Sequence, residues 1–254
     1  PNESAGAAPI SPKTVSSRAE SATEKEIIEK IKSAAADGKA LLPAGCGTAG
    51  HFGNLPGRSC ELLNSAGLDG IIEFDPYNQF VSVGAGTSLD VLQRQLSEQN
   101  QWLPIRPSFS LQAHSIGGVM ALAACGPERM HYGAPRDFVL GLRFLNGSGQ
   151  KISTGGKVVK NVAGYDMTRL MIGSAGTLGL ITEVTCRVMT VPERCTAISV
   201  EGSLPDCFAL ASEVITSRLI PVFVVMVPEN DQSGEMSRRR CKLEIGFEGF
   251  DKTV

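Results

Sequence analysis

The stretch Gly173-Ser174-Ala175-Gly176-Thr177-Leu178-Gly179-Leu180-Ile181 places three glycines within seven residues and continues into an apolar run that ends near Met189. One glycine is enough for a helix-to-strand turn, so the other two call for a different explanation. Glycines let the backbone approach a flat ligand closely, and the apolar strand that follows offers a wall for an aromatic ring. The stretch therefore predicts a ligand-binding turn that leads into a strand.

A second glycine cluster, Pro43-Ala44-Gly45-Cys46-Gly47-Thr48, follows a short apolar strand predicted over residues 40–43. Small residues allow successive backbone N–H groups to point into one concavity. Such a concavity binds the oxygens of a diphosphate without any basic side chain. An ordinary glycine loop is the alternative interpretation of this cluster.

The third cluster, Ala113-His114-Ser115-Ile116-Gly117-Gly118, opens a run of small residues that suits a tightly packed helix over 115–125. Its hydroxyl and helix N-terminus would serve a phosphate or the polar edge of a flavin. Capping of the helix by Ser115 is the alternative. His114 would lie either beside a cofactor or on a surface loop, and from sequence we favour the surface loop.

Other motifs exclude several functions. Gly84-Ala85-Gly86 follows a strand and opens a helix, but Leu89 stands where a dinucleotide fingerprint requires its third glycine. Neither a Gly-x-Ser-x-Gly elbow nor a P-loop occurs in the sequence. The histidines, 51, 114 and 131, lack metal-ligand spacing and the seven cysteines form no C-x-x-C pair, so we predict no metal site.

Periodicity predicts a mixed α+β chain. A capping box at Thr23 starts a helix that Gly38 ends, and a helix from 87 or 88 to about 100 buries Leu89, Leu92 and Leu96. Asn146-Gly147 predicts a tight hairpin. The remaining predicted strands are 70–74, 80–83, 138–145, 150–153 and one or two within 178–189, with a short helix over 166–172. Beyond Pro192 we predict strand 197–200, helix 204–219, and strands 221–227 and 242–247.

Composition narrows the setting. With 254 residues, 42% of them hydrophobic, and a net charge of −2, the chain has no electrostatic reason to bind nucleic acid. Its longest apolar run, 219–227, is much shorter than the ~20 residues of a transmembrane segment. Scattered cysteines predict a reduced, cytoplasmic protein. Residues 1–21 are expected to be a disordered leader.

The most specific stretch is Lys157-Val158-Val159-Lys160-Asn161-Val162-Ala163-Gly164-Tyr165-Asp166, which precedes Arg169-Leu170 and the cluster at 173–181. Together with the order and spacing of the three clusters, it resembles the FAD-binding domain of the vanillyl-alcohol oxidase and p-cresol methylhydroxylase (PCMH-type) superfamily. Within that superfamily it is most similar to the FAD-binding E subunits of bacterial glycolate oxidases. Tyr132-Gly133 followed by Asp137 also fits the superfamily's pattern.

This resemblance implies an α+β, PCMH-type, two-subdomain FAD-binding fold over residues 22–192, followed by the start of a small α+β cap or substrate domain over 193–254. The predicted small unit stops at Val254 without an obvious return element, so we expect a truncated or partial copy. The implied cofactor-binding residues are Pro43, Ala44, Gly45, Cys46, Gly47, Thr48, His114, Ser115, Gly117, Gly118, Val119, Ala121, Ala175, Gly176, Thr177, Gly179 and Ile181. Lys160 and Tyr165 are implied either as near-flavin residues or as support for the fold.

The same resemblance implies an FAD-linked oxidoreductase that oxidises a 2-hydroxy acid such as glycolate. Members with covalently bound flavin often place a histidine where this chain has Thr48, and His51 comes three residues later, so we expect non-covalent FAD. No catalytic residue is assigned. The alternative is an FAD-carrying or scaffolding subunit with companion flavoprotein and iron–sulfur subunits, and a reductase that uses a nicotinamide cofactor is a third hypothesis.

Overall fold

The structure is a computed structural model that describes residues 24–50, 52–54, 59–107, 114–156, 165–228 and 240–250. The predicted leader, the capping residue Thr23, His51, and Lys160 with most of its motif lie outside these residues. The helices are α1 (Glu24–Ala36), α2 (Leu89–Ser97), α3 (Ile116–Leu122), α4 (Arg129–Tyr132), α5 (Pro135–Phe138), α6 (Met167–Met171) and α7 (Leu204–Thr216). The strands are β1 (Ala40–Ala44), β2 (Cys60–Asn64), β3 (Ile71–Asp75), β4 (Phe80–Gly84), β5 (Gln101–Trp102), β6 (Val139–Leu145), β7 (Lys151–Gly155), β8 (Leu180–Arg187), β9 (Met189–Thr190), β10 (Arg194–Ser203), β11 (Phe223–Pro228) and β12 (Arg240–Gly249).

The first layer consists of α1 packed on a parallel pair, β1 and β2. Ile27 and Ile31 of α1 are buried against Leu63 of β2. Gly38 follows α1 at φ = +66°, a left-handed conformation that glycine adopts without strain, so the predicted end of this helix is confirmed. The sequence did not predict β2.

The main sheet is antiparallel, with the order β3-β4-β8-β6-β7. Leu89, Leu92 and Leu96 of α2 are completely buried in its core, which confirms the predicted face of this helix. Gly84 and Gly86 allow the backbone before β3 to pass very close to β4, since a Cβ at Gly86 would lie 2.4 Å from the Ser65 carbonyl oxygen. These two glycines serve chain packing, as expected from the missing third glycine.

The turn between β6 and β7 corrects the prediction of a tight Asn146-Gly147 hairpin. Leu145 pairs with Lys151, so five residues form the connection. Asn146 organises this loop, because its side-chain oxygen accepts hydrogen bonds from the backbone N–H groups of Ser148 and Gln150. Gly149, at φ = +76°, takes the left-handed conformation.

A separate three-stranded sheet, ordered β10-β12-β11, follows β9. The helix α7 covers one of its faces, where Cys207, Ala211 and Leu243 are buried together. This arrangement confirms the predicted β-α-β-β order and, with the main sheet, the α+β class. Among the described helices, none combines the length and apolar character needed to cross a membrane.

Candidate functional site

A cavity of about 260 Å³ lies where the three glycine clusters meet. The clusters arrive from the end of β1, the start of α3 and the turn before β8. Of the residues predicted from sequence, the cavity is lined by Pro43, Ala44, Gly45, Cys46, Gly47, Thr48, His114, Ser115, Gly117, Gly118, Ala121, Ala175, Gly176, Gly179 and Ile181. Segments far apart in the chain thus form one concave site.

Two predicted residues lie elsewhere. Val119 is only 1% exposed and packs in the main core, so its side chain supports α3 from behind. Thr177 lines a second cavity, of about 400 Å³, which shares Pro43, Gly176 and Gly179 with the first.

The loop at the end of β1 offers unused backbone donors. Within the described part of the chain, the N–H groups of residues 45–48 donate no hydrogen bond. Gly47 has φ = +75°, and a Cβ there would meet nothing within 4 Å. Gly45 instead packs tightly, because a Cβ would lie 2.2 Å from Ser115 Oγ. Such a turn, with N–H groups unpaired, is suited to bind an anion.

The N-terminus of α3 differs from the prediction of a phosphate site. The Ser115 hydroxyl caps the helix by accepting a hydrogen bond from the Gly118 N–H. The Gly117 N–H donates to the Ala85 carbonyl oxygen at 2.8 Å, and the Ile116 N–H donates to Thr87. Because these donors are occupied, the capping interpretation is confirmed, and α3 contributes small wall residues to the cavity.

His114 is 6% exposed, so the expected surface-loop position is wrong. Its ring atom Nδ1 shares a 3.0 Å hydrogen bond with Thr48 Oγ1. This bond connects the glycine loop at the end of β1 to the segment that begins α3. Thr48, which stands where covalent members of the family often have a histidine, thus fixes the position of His114 in the cavity wall.

The turn before β8 is fastened to the end of α3. The Ala175 N–H donates to Ala121 at 2.7 Å, and the Gly173 N–H donates to Met120 at 3.0 Å, so two carbonyl groups at the helix C-terminus are satisfied. This turn also lies against the loop at the end of β1, since a Cβ at Gly176 would lie 3.3 Å from Pro43 Cγ. The turn before β8 therefore contacts both the loop at the end of β1 and the helix α3 that the third cluster begins.

Sequence reasoning missed one wall of the cavity. Leu42 and Leu62 pair directly across β1 and β2 and remain 43% and 54% exposed beside the cavity. The missing signal was β2, a five-residue strand without clear alternation. Further unpredicted lining residues are Ala49, Gly50, Phe52, Asn54 and Ser65.

The described lining contains no Asp, Glu, Lys or Arg side chain. Although the Cys46 side chain reaches the surface, desolvation raises the pKa of its thiol above the ordinary value, so the thiol is neutral at pH 7. Backbone dipoles would therefore stabilise a bound anion, and the walls are suited to uncharged, partly apolar groups.

Comparison with known proteins gives a consistent family. A model of the FAD binding domain matches residues 17–155, more than half of the chain. The glycolate oxidase subunit GlcE of Escherichia coli is 32% identical over 188 residues, which is 74% of this chain and 53% of that protein. The glycolate oxidase subunit GlcD of Bacillus subtilis is 33% identical over 71% of this chain and 38% of its own. D-2-hydroxyglutarate dehydrogenase of Xanthomonas citri is 34% identical over a stretch that covers 66% of this chain and 35% of that protein.

The fold comparison agrees. An alkyldihydroxyacetonephosphate synthase structure superposes with a TM-score of 0.73 at 20% identity, covering 91% of this chain and 46% of that one. This match supports the predicted PCMH-type fold. The chain spans between about a third and about a half of the length of these relatives.

Proposed function

This chain belongs to the FAD binding domain family, with FAD as its cofactor, and from that premise we propose that it oxidises a small 2-hydroxy acid. One observation carries the proposal: three glycine clusters, separated by long stretches of sequence, converge on a single cavity with unpaired backbone donors on one side. The cavity's residues fit the cofactor, because a diphosphate needs such donors and ring systems need close, apolar walls.

The proposed roles follow from this geometry. The N–H groups of residues 45–48 hold the diphosphate, while the small residues of α3 and the turn before β8 let the nucleotide approach the backbone. When bound, FAD supplies the acceptor for a hydride from the substrate's α-carbon. The protein's part is to position the two molecules and exclude water, and a base removes the proton of the substrate hydroxyl.

The substrate class rests on the relatives. Glycolate and D-2-hydroxyglutarate, in the names of the three similar proteins, both carry a hydroxyl group beside a carboxylate. We propose the same class here, with glycolate as the first compound to test. FAD is held without a covalent bond in this proposal, because Thr48 has no nucleophilic nitrogen and its hydroxyl is engaged with His114.

A second candidate is a subunit that carries FAD without substrate chemistry of its own. Two of the relatives are named as subunits of glycolate oxidase, which favours work in a complex with companion subunits. We propose further that these companion subunits are a second flavoprotein and an iron–sulfur protein. A cytoplasmic location and the division into 1–21, 22–192 and 193–254 remain predictions.

Anaerobic bleaching of the flavin distinguishes the two candidates. The purified chain with FAD is mixed with glycolate or D-lactate in the absence of oxygen, and absorbance is followed near 450 nm, a flavin band. Loss of the band supports the oxidase, whereas an unchanged band supports the carrier subunit. NADPH in a parallel sample tests the nicotinamide-dependent reductase. Acid precipitation of the same preparation should release all the FAD, and yellow precipitated protein would contradict the non-covalent proposal.

A further inference from the structure

A charged cluster joins the small sheet to the part of the chain that surrounds the cavity. Glu248 of β12 has a side chain that is only 7% exposed. Its Oε1 accepts a hydrogen bond from Arg106 at 2.8 Å, and its Oε2 accepts one from the Tyr132 hydroxyl at 2.7 Å. Cys195, opposite Glu248 on β10, also faces this carboxylate.

Arg106 has a second carboxylate within reach. Glu128 Oε1 lies 3.5 Å from the guanidinium, and this side chain is 13% exposed. Its other oxygen, Oε2, is buried and accepts no hydrogen bond from a described residue. Arg106 and Glu128 both belong to the part of the chain that precedes β10, while Glu248 lies on the small sheet. We call the contact between these two parts, at Arg106, Glu128 and Glu248, the joint. One cation is thus shared between a carboxylate that fastens the sheet and one that does not.

The two partners differ in strength. Glu248 holds Arg106 by a short, charge-assisted hydrogen bond, whereas Glu128 contributes attraction at a longer distance and keeps unused acceptor capacity. Removal of Glu248 from a buried ion pair would ordinarily leave an uncompensated charge. Here Arg106 can turn to Glu128, which lowers the cost of separating the sheet.

Arg106 and Glu128 lie close in sequence to residues that line the cavity. Arg106 precedes the segment that carries His114, and Glu128 follows the end of α3, whose residues line the cavity. The backbone of these two segments is in contact, since a Cβ at Gly126 would lie 2.1 Å from the Arg106 carbonyl oxygen. The segments that carry Arg106 and Glu128 therefore pack directly on each other.

We propose that Arg106, Glu128 and Glu248 form a releasable latch. In the docked state Arg106 is bound to Glu248 and holds the small sheet against the cavity-bearing unit. When the sheet separates, Arg106 transfers to Glu128. The latch gives the contact between the small sheet and the rest of the chain two stable arrangements, with Glu128 as the partner that makes the open one accessible.

Trp102 provides the measurement, because it is the one tryptophan in the sequence and lies in the joint. It is 7% exposed, the Arg106 guanidinium lies 4.4 Å from its ring centroid, and the Tyr132 ring contacts it edge-on. Release of the latch should expose this ring to a quencher. Acrylamide quenching of Trp102 fluorescence in the full chain, at equal flavin content, therefore reports the open population.

The test compares Glu248→Gln with Glu128→Gln, which make the same charge change on the two partners of Arg106. Glu248→Gln should raise the open population about 10-fold, because a charge-assisted hydrogen bond is lost. Glu128→Gln should lower it at least about 2-fold, since the open state loses its partner. Glu244→Gln, on the same strand and paired with Lys242, is the control and should leave quenching unchanged.

A fixed structural network predicts a different result, because removal of either carboxylate would then loosen the joint. Increased quenching in both variants, or no change in either, would overturn the latch. Circular dichroism establishes that each variant is folded. If Glu248→Gln does not fold, Tyr132→Phe removes one of the two bonds to Glu248 and should shift quenching in the same direction by a smaller factor.

Discussion

At Gly47 the backbone takes φ = +75° beside the unpaired N–H groups of the loop at the end of β1. Gly47→Val should weaken FAD binding by roughly one to three orders of magnitude. A β-branched residue disfavours this φ, so the loop would leave the conformation that aligns its donors, at about 1 kcal/mol for each hydrogen bond lost. The flavin-to-protein ratio and a titration with FAD provide the measurement.

Gly38→Val is the matched control for this substitution. Gly38 has φ = +66° and equally open surroundings, but it ends α1 away from the cavity. Both variants therefore bear similar backbone strain, and FAD affinity should change only in Gly47→Val. Equal loss of FAD in the two variants would show that strain, rather than the loop, is responsible. Gly86 would make a poor control, because a Cβ there meets backbone oxygens.

The residues of the site were predictable to different degrees. Gly45 and Gly47 stand out because two glycines after an apolar strand have few purely structural explanations. The position of His114 could not be predicted, because it depends on a hydrogen bond to Thr48 across 66 residues. A histidine next to a capping serine looks the same in sequence whether its ring points outward or inward.

The helix α3 provides a prediction at the level of an element, in its adjacent glycines. A Cβ at Gly117 would lie 2.7 Å from Ala85 Cβ and 2.9 Å from the Ala85 carbonyl oxygen, whereas one at Gly118 would meet only Ser115 Oγ at 3.1 Å. Gly117→Ala should cost ~1–3 kcal/mol through overpacking and lower Tm by roughly 3 to 10 °C. Gly118→Ala should stay within about 1 kcal/mol of the parent, because alanine favours the helix. Thermal unfolding of both variants tests this, and equal Tm values would contradict the close contact with Ala85.

Elements with strong periodicity were predicted well, and short ones were not. The leucines of α2 repeat every three or four residues, so its buried face follows from sequence alone. Strand β2 has only five residues, is paired on one side and leaves Leu62 exposed, so it carries no alternation. The prediction of a tight turn at Asn146-Gly147 was wrong, because the asparagine side chain accepts hydrogen bonds that close a longer loop, in which Gly149 takes the left-handed conformation.

At the scale of the whole molecule, the order of elements predicted two α+β units, but their contact was beyond the sequence. Arg106 and Glu248 belong to no motif, and each would pass for an ordinary polar surface residue. Tyr132 belongs to a family pattern, but that pattern does not say which residue its hydroxyl contacts. These three residues come together only because β12 brings Glu248 against the chain on either side of α3. Long-range pairing of this kind is determined by packing, and local propensity carries no information about it.

The joint should open in acid. Burial acts to raise the pKa of Glu248, but the hydrogen bonds from Tyr132 and Arg106, the Arg106 charge and the Cys195 thiol outweigh it, so the pKa lies below its ordinary value of 4.5. A carboxyl group with a lowered pKa stabilises the docked state above pH 4.5 and loses that contribution as pH falls through its docked value. Protonation removes the negative charge through which Glu248 holds Arg106 to the small sheet. Trp102 quenching should therefore rise below about pH 4.5 in the parent chain, while Glu248→Gln, which lacks the titrating carboxyl group, should show a much smaller rise over the same range. Parallel curves for the two proteins would mean that another carboxyl group governs the acid response and that Glu248 does not hold the small sheet.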